Sequence, residues 1–302
     1  MEKYFIREKI IKSIRHFFYS KDFHEVIPPL LNTALPLEPN LQPFSTVHNG
    51  TNETFYLSMS PERGIKKMLA CGIGNCFAIS KSFRNYERIG TLHNNEFIML
   101  EWYRKDSTYL KIMEELELLL RNINTEVDKQ ISIPESSFPR ISLNDLFREK
   151  CGTSLEELLT DEKKIYNIAK TKGYRIDGAT WEELYDQLFV NEIETSFSNK
   201  PFFLIDFPER ISPLCAKKQD MNGFAERFEL YINKIEIANG NTEKTDKEYI
   251  HATFIKEQEK TGLPIDDEFL TSLDQMKGHI YAGVGLGIDR LTMLYTDTDI
   301  FV

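Results

Sequence analysis

The 302-residue sequence contains no run of about 18 apolar residues, so no part of it reads as a membrane-spanning helix. Its start, Met1-Glu2-Lys3-Tyr4, lacks the apolar core and small-residue cleavage site of a secretion signal. Cysteine is scarce. Cys71, Cys76, Cys151 and Cys215 form no C-x-x-C pair and no zinc pattern, which points to reduced thiols in the cytoplasm. Positive charge is also short: 37 Lys and Arg stand against 47 Asp and Glu, a net charge of −10. That sign is opposite to a general nucleic-acid binder, although a local basic patch fits inside the total. Repeats and low-complexity tracts are absent. What remains, 41% hydrophobic and 28% charged, is a globular composition long enough for one large core or two modest domains.

Residues 5–19 place Ile10, Ile11, Ile14, Phe17 and Phe18 at helical spacing, and the helix should stop near Ser20-Lys21-Asp22. The extended run 23–27 then ends at Pro28-Pro29, because the residue before proline is pushed out of helical geometry. β-branched and aromatic content predicts strands over 54–57, 76–80, 96–102, 202–207 and 227–232. Apolar periodicity predicts helices over 61–71 and 110–127. Residues 140–200 differ: they read as helical, acidic and free of strand runs. The expectation is one α+β domain over 1–302 with a helical insertion at about 140–200.

Three stretches carry chemistry. In Ser82-Phe83-Arg84-Asn85-Tyr86-Glu87, an arginine ends a strand, and Glu96 to Tyr103 returns with two acids. Such an arginine grips a carboxylate or phosphate through two parallel hydrogen bonds. A hairpin with surface ion pairs has the same charges. In the second, Glu229 and Glu236 are an odd number of residues apart, so one straight strand would put them on opposite faces. A turn at Asn233-Lys234 lets both acids meet, and two carboxylates with triphosphate oxygens suit magnesium. A solvated acidic hairpin is the alternative. The third, Gly283-Val284-Gly285-Leu286-Gly287-Ile288-Asp289-Arg290, lets backbone approach a ligand closely and then starts a helix. It is neither the dinucleotide glycine fingerprint nor a P-loop.

Taken together, in order and content, these stretches resemble the three signature motifs of class II aminoacyl-tRNA synthetases. Within that class the similarity is to the lysyl-tRNA synthetase subgroup. The residues that carry it are Ser60-Pro61-Glu62, Phe83-Arg84-Asn85, His93-Asn94, Glu96-Phe97, Met99-Leu100-Glu101, Ser212-Pro213-Leu214, and Glu236 with Asn239-Gly240. The first motif begins within a few residues of Met1, where those synthetases carry an anticodon-reading domain. The chain therefore resembles the stand-alone catalytic core, the family of elongation factor P lysine ligases (the GenX or PoxA type). The resemblance implies an antiparallel sheet flanked by helices, a homodimer formed through the first motif near Pro29, and no anticodon-binding domain.

It also implies that lysine or β-lysine is activated with ATP and Mg²⁺, then passed to a lysine side chain of elongation factor P, with tRNA disfavoured as acceptor. Arg84 and Arg290 would be catalytic, Arg84 bridging the substrate carboxylate and the α-phosphate, Arg290 covering ATP from the far side. Asn85, Glu87 and the turn at His93-Asn94 would contact adenine and phosphates, with Leu230 and Gly287 beside the nucleotide. Glu229 and Glu236 would hold magnesium. Glu62, Glu101 and Glu243, with Tyr103, would receive the substrate ammonium groups. Ser60, Pro61, Asn239, Glu236 and Gly285 would complete the pocket. Three positions depart from the family pattern. The turn after Arg84 has one extra residue. Thr91 and Leu92 stand where an arginine is usual, with Arg88 the nearest substitute. Asn241 replaces an aromatic residue, making the pocket more polar. Gly285, where β-lysine ligases tend to carry alanine, leaves room for an α-amino acid. Two other readings share these motifs: a lysine-activating enzyme with another acceptor (a tRNA, a carrier protein or a small amine), and a non-catalytic ligand-binding regulator.

Overall fold

The first helix, α1 (Glu2–Tyr19), buries Ile6, Ile10, Ile14, Phe17 and Phe18, one stripe at helical spacing. Asp22, in the left-handed region at φ 58°, turns the chain out of it, with Phe23 N–H donating to Phe18 C=O at 3.1 Å. These features come from a computed structural model that describes residues 1–85 and 90–296. The short strands β1 (His24–Glu25) and β2 (Leu31–Asn32) follow, then β3 (Ser45–His48), β4 (Glu53–Leu57), α2 (Glu62–Ala70), β5 (Cys76–Phe83), β6 (Glu96–Lys105) and α3 (Tyr109–Glu126). Next come β7 (Arg140–Ser142), α4 (Leu143–Cys151), α5 (Leu155–Thr160), α6 (Lys163–Thr171), α7 (Trp181–Leu188), β8 (Phe202–Pro208), β9 (Phe224–Ile232) and β10 (Ile235–Thr242). The last elements are α8 (Lys247–Thr261), α9 (Asp267–Gln275), β11 (Tyr281–Gly287) and α10 (Ile288–Thr296).

Among the described residues eight strands form one sheet in the order β1-β5-β6-β11-β10-β9-β8-β7, and β2-β4-β3 form a small second sheet. The large sheet is antiparallel except at its two edge pairings, β1 with β5 and β7 with β8. This is the expected α+β architecture. Strand β7 corrects the expectation of a strandless 140–200. Three residues give too little alternation to show in sequence, and their pairing to β8 is what makes them a strand. Strand β10 is the second strand that the turn at Asn233-Lys234 implies, whereas β11 lies outside the expected strands, because glycine is a poor strand former.

The period of two along each strand sorts the sheet into two faces. Leu100 and Trp102 of β6, Val284 and Leu286 of β11, and Phe228 and Leu230 of β9 pack beneath α1, α3 and α10. The opposite face carries Met99, Glu101 and Tyr103, the glycines 283, 285 and 287, and Arg227 and Glu229. It is the floor of a cleft. Helices α4 to α7 pack on that same face over Phe202, Leu204 and Tyr231. They form one wall of the cleft, while α2, α8 and α9 pack on the other side.

A buried ion pair ties that second wall together. Arg63 of α2 pairs with Asp266, which is 2% exposed and also caps α9 by accepting from Phe269 N–H at 3.0 Å. Arg63 further donates to Asn32 Oδ1 at 3.1 Å.

Candidate active site

The cleft has a volume of about 620 Å³ and is bounded by β6, β11, β10 and β9 below and the loop 38–41 at one rim. Glycines make its floor possible. A Cβ at Gly283 would stand 2.4 Å from the Tyr103 ring, so the ring lies flat across the strand only because position 283 has no side chain. The cross-strand register pairs Gly283 with Tyr103, Gly285 with Glu101 and Gly287 with Met99, which explains the alternation of glycines.

The two acids of the hairpin meet as the turn at Asn233-Lys234 requires. Both turn residues have positive φ, 52° and 64°, the backbone of a tight hairpin. A β-bulge between Glu236 and Ala238 does the rest. Ile237 and Ala238 both point to the helix side, so Glu236, Asn239 and Asn241 share the cleft side despite their odd spacing. Glu229 accepts from Arg227 at 2.6 Å and from Tyr231 Oη–H at 2.8 Å. Burial and the neighbouring Glu236 push its carboxyl up to about 7. Two mutually repelling acids opening on a cleft fit a hard divalent cation that draws its other ligands from water and phosphate. Among the described residues no group of three or more His, Cys, Asp or Glu forms a complete protein cage.

Arg84 and Arg290 both line this cleft. Arg84 follows directly on β5, its guanidinium carbon 5.3 Å from the centre of the Phe97 ring. Arg290, in the first turn of α10, donates to Glu236 C=O at 2.9 Å, to Leu92 C=O at 3.3 Å and to His93 Nε2 at 2.8 Å. Its neighbour Asp289 turns away, accepting from Arg7 at 3.1 Å and from Ile98 N–H at 2.8 Å. Asp289 thus fastens α1 and β6 to the helix that carries Arg290.

At the other end stands a cluster of acids. Glu62 and Glu101 line the cleft beside Ser60. Glu101 is 5% exposed, and its Oε2 has no hydrogen-bond partner in the structure. Burial first, then Glu62, raises its carboxyl well above the usual range. Lys66, fully buried, is ion-paired with Glu62 and, at 2.6 Å, with Glu243. These two carboxylates outweigh the cost of burying the ammonium, so Lys66 stays charged.

Of the predicted site residues, Ser60, Glu62, Arg84, Asn94, Glu101, Tyr103, Glu229, Glu236, Asn239, Gly285, Gly287 and Arg290 line this one cleft. Others are placed elsewhere. Glu243 faces Lys66 instead of the cleft. Leu230 points into the core under the helices, because strand alternation sends it opposite to Glu229. Pro61 is the buried N-cap of α2. Asn85 is tied by its backbone to Gln42. Glu87 and Arg88 lie outside the described residues. Sequence reasoning missed Arg227, Lys66 and Glu38. An arginine two residues before Glu229, on the same strand face, was the available signal for the first.

With this geometry in view, the relatives are informative. The family model described as tRNA synthetases class II (D, K and N) matches residues 1–300. The chain belongs to that family. It is an ATP-dependent ligase with the class II synthetase fold. An "Elongation factor P--(R)-beta-lysine ligase homolog" of Aquifex aeolicus is 38% identical over 295 residues, 97% of this chain and 93% of that protein. A "Lysine--tRNA ligase" of Vesicomyosocius okutanii is 33% identical over 97% of this chain, and one of Saccharolobus solfataricus is likewise 33% identical over 97%. This class II ligase spans 61% of the length of each of those two lysine–tRNA ligases. No helix among its described residues is long and apolar enough to cross a membrane.

Proposed function

We propose that this ligase activates lysine or β-lysine as an adenylate, in the cytoplasm, and transfers it to a lysine side chain of elongation factor P. The observation that carries the reading is one cleft lined by Arg84 and by the acids Glu62 and Glu101, with Glu101 Oε2 unpaired. A substrate with one carboxylate and two ammonium groups has that charge pattern, and an unpaired buried carboxyl is costly until a cation meets it. The Aquifex relative, matched over most of both chains, supports elongation factor P over tRNA as acceptor.

In this reading a carboxylate oxygen of the amino acid attacks the α-phosphorus of ATP in line, and the bond to pyrophosphate breaks. No protein nucleophile is needed, so positioning and charge stabilisation carry the rate. Arg84 holds the attacking carboxylate against the α-phosphate. Arg290, fixed by Glu236 and Leu92, lies over the nucleotide, with His93-Asn94 at the same rim and Gly287 admitting its backbone. Glu229 and Glu236 would hold magnesium, which supplies positive charge to the leaving phosphates. The acceptor amine then attacks the activated carbonyl, AMP departs, and the nitrogen loses a proton. Incubation with ATP and labelled lysine should label elongation factor P and leave tRNA unlabelled. Label in tRNA alone would contradict the acceptor.

Gly285 sets the choice between the two lysines. A Cβ there would stand 3.6 Å from Glu101 Oε1 and 3.4 Å from Met99 Sδ, so alanine fits but narrows the space at the acid. With glycine, α-lysine should be activated at least as well as β-lysine. Gly285→Ala should lower the α-lysine to β-lysine activation ratio, and an unchanged ratio would contradict this. A homodimer is also proposed, supported by exposed apolar residues around the first motif: Ile27 at 94%, Val47 at 53% and Leu31 at 48%. Light scattering at micromolar concentration should report two copies; a monomer would contradict it.

A further inference from the structure

We propose that Glu38 is a specificity-determining residue, binding the substrate ammonium nearest the carboxylate. The inference rests on the lysine-activation reading and adds a residue that the motifs do not contain. Glu38 sits in the proline-flanked stretch Leu35-Pro36-Leu37-Glu38-Pro39, outside helix and strand, yet it lines the cleft with Ser60, Glu62 and Glu101. Two anchors hold it there. Leu37, 4% exposed, packs against Leu214, Ile250 and Phe254, and Gln42 C=O accepts from Asn85 N–H at 2.8 Å, beside Arg84.

The charges around it assign the role. Four carboxyls, those of Glu38, Glu62, Glu101 and Glu243, share this end of the molecule with the buried ammonium of Lys66. Lys66 is ion-paired to Glu62 and Glu243. Of these four, Glu38 and Glu101 line the cleft outside those pairs, and a diamino acid brings two ammonium groups. Glu101 lies deep, on the strand beside Tyr103, with its Oε2 open to a donor. Glu38 lies toward Arg84, where the substrate carboxylate would be held. Burial, with Glu62 nearby, holds the Glu38 carboxyl up to about 7, while Arg84, Lys66 and Arg227 act in the other direction. A cation on Glu38 would relieve that strain.

The test is calorimetric binding of L-lysine and of 6-aminohexanoate, which lacks the α-ammonium, to the wild type, Glu38→Gln and Glu38→Asp. Glu38→Gln should weaken lysine by about tenfold or more, the loss of a charge-assisted hydrogen bond, and keep 6-aminohexanoate within about twofold. Glu38→Asp should recover part of the lysine affinity. In ATP–pyrophosphate exchange the same loss should fall on the lysine KM, with kcat and the ATP KM unchanged. Unchanged lysine binding in Glu38→Gln, or an equal loss for both ligands, would overturn the assignment. If the glutamine variant fails to melt cooperatively, Glu38→Asp carries the comparison. Wild-type protein that binds lysine but exchanges no pyrophosphate would contradict activation while still testing Glu38; protein that binds no lysine overturns both.

Discussion

Arg84→Ala should lower lysine-dependent ATP–pyrophosphate exchange by about 10²–10³-fold, the range for removing one preorganised donor from a site of developing charge. The loss belongs to kcat, because Arg84 is asked to hold the attacking carboxylate and the α-phosphate together. Arg84→Lys should recover little. A lysine has the charge but lacks the planar pair of donors that bridges two oxyanions. Arg84 is half-buried at a strand end, not in the core, so the alanine variant should keep its thermal transition. Exchange within about threefold of wild type would remove Arg84 from the mechanism.

Asp266→Ala should have the largest effect on stability. Asp266 is 2% exposed, pairs with the buried Arg63 and caps α9, so the substitution leaves the guanidinium to Asn32 and the exposed Glu268 and frees a helix terminus at once. Breaking one partner of a buried pair costs about 3–5 kcal/mol, and the lost cap adds about 1 kcal/mol. Denaturant titration should show this as a lower midpoint. Replacing Arg63 and Asp266 together by apolar residues should cost less than either single change. Because α2 carries Glu62 and Lys66, the single variant should also weaken lysine binding. A loss of stability under about 1 kcal/mol would contradict the assigned role of the pair.

Much of this architecture was legible. The apolar stripe of α1 and the aromatic strands β6 and β8 follow from periodicity and composition, and Glu62, Glu101, Glu229, Glu236, Arg84 and Arg290 from the resemblance of the motifs. The gaps have specific causes. Strand β11 is built on glycines that β6 side chains need for space, and glycine alone argues against a strand. Leu230 was expected beside the nucleotide, whereas period-two alternation sends its side chain to the opposite face from Glu229. Glu243 was assigned to the substrate, yet Lys66, distant in sequence, reaches it across the fold. Glu38 lies in a proline-rich stretch without periodicity, so only the packing of Leu37 reveals where it points.

ATP–pyrophosphate exchange with magnesium, run across α-lysine, β-lysine and the other amino acids, reads adenylate formation itself. Exchange is expected with α-lysine and with β-lysine, and background rates with amino acids that lack a second ammonium, because Glu101 would then stay unpaired. Folded, ATP-binding protein that shows no exchange with any amino acid would contradict adenylate formation and leave a ligand-binding regulator in its place.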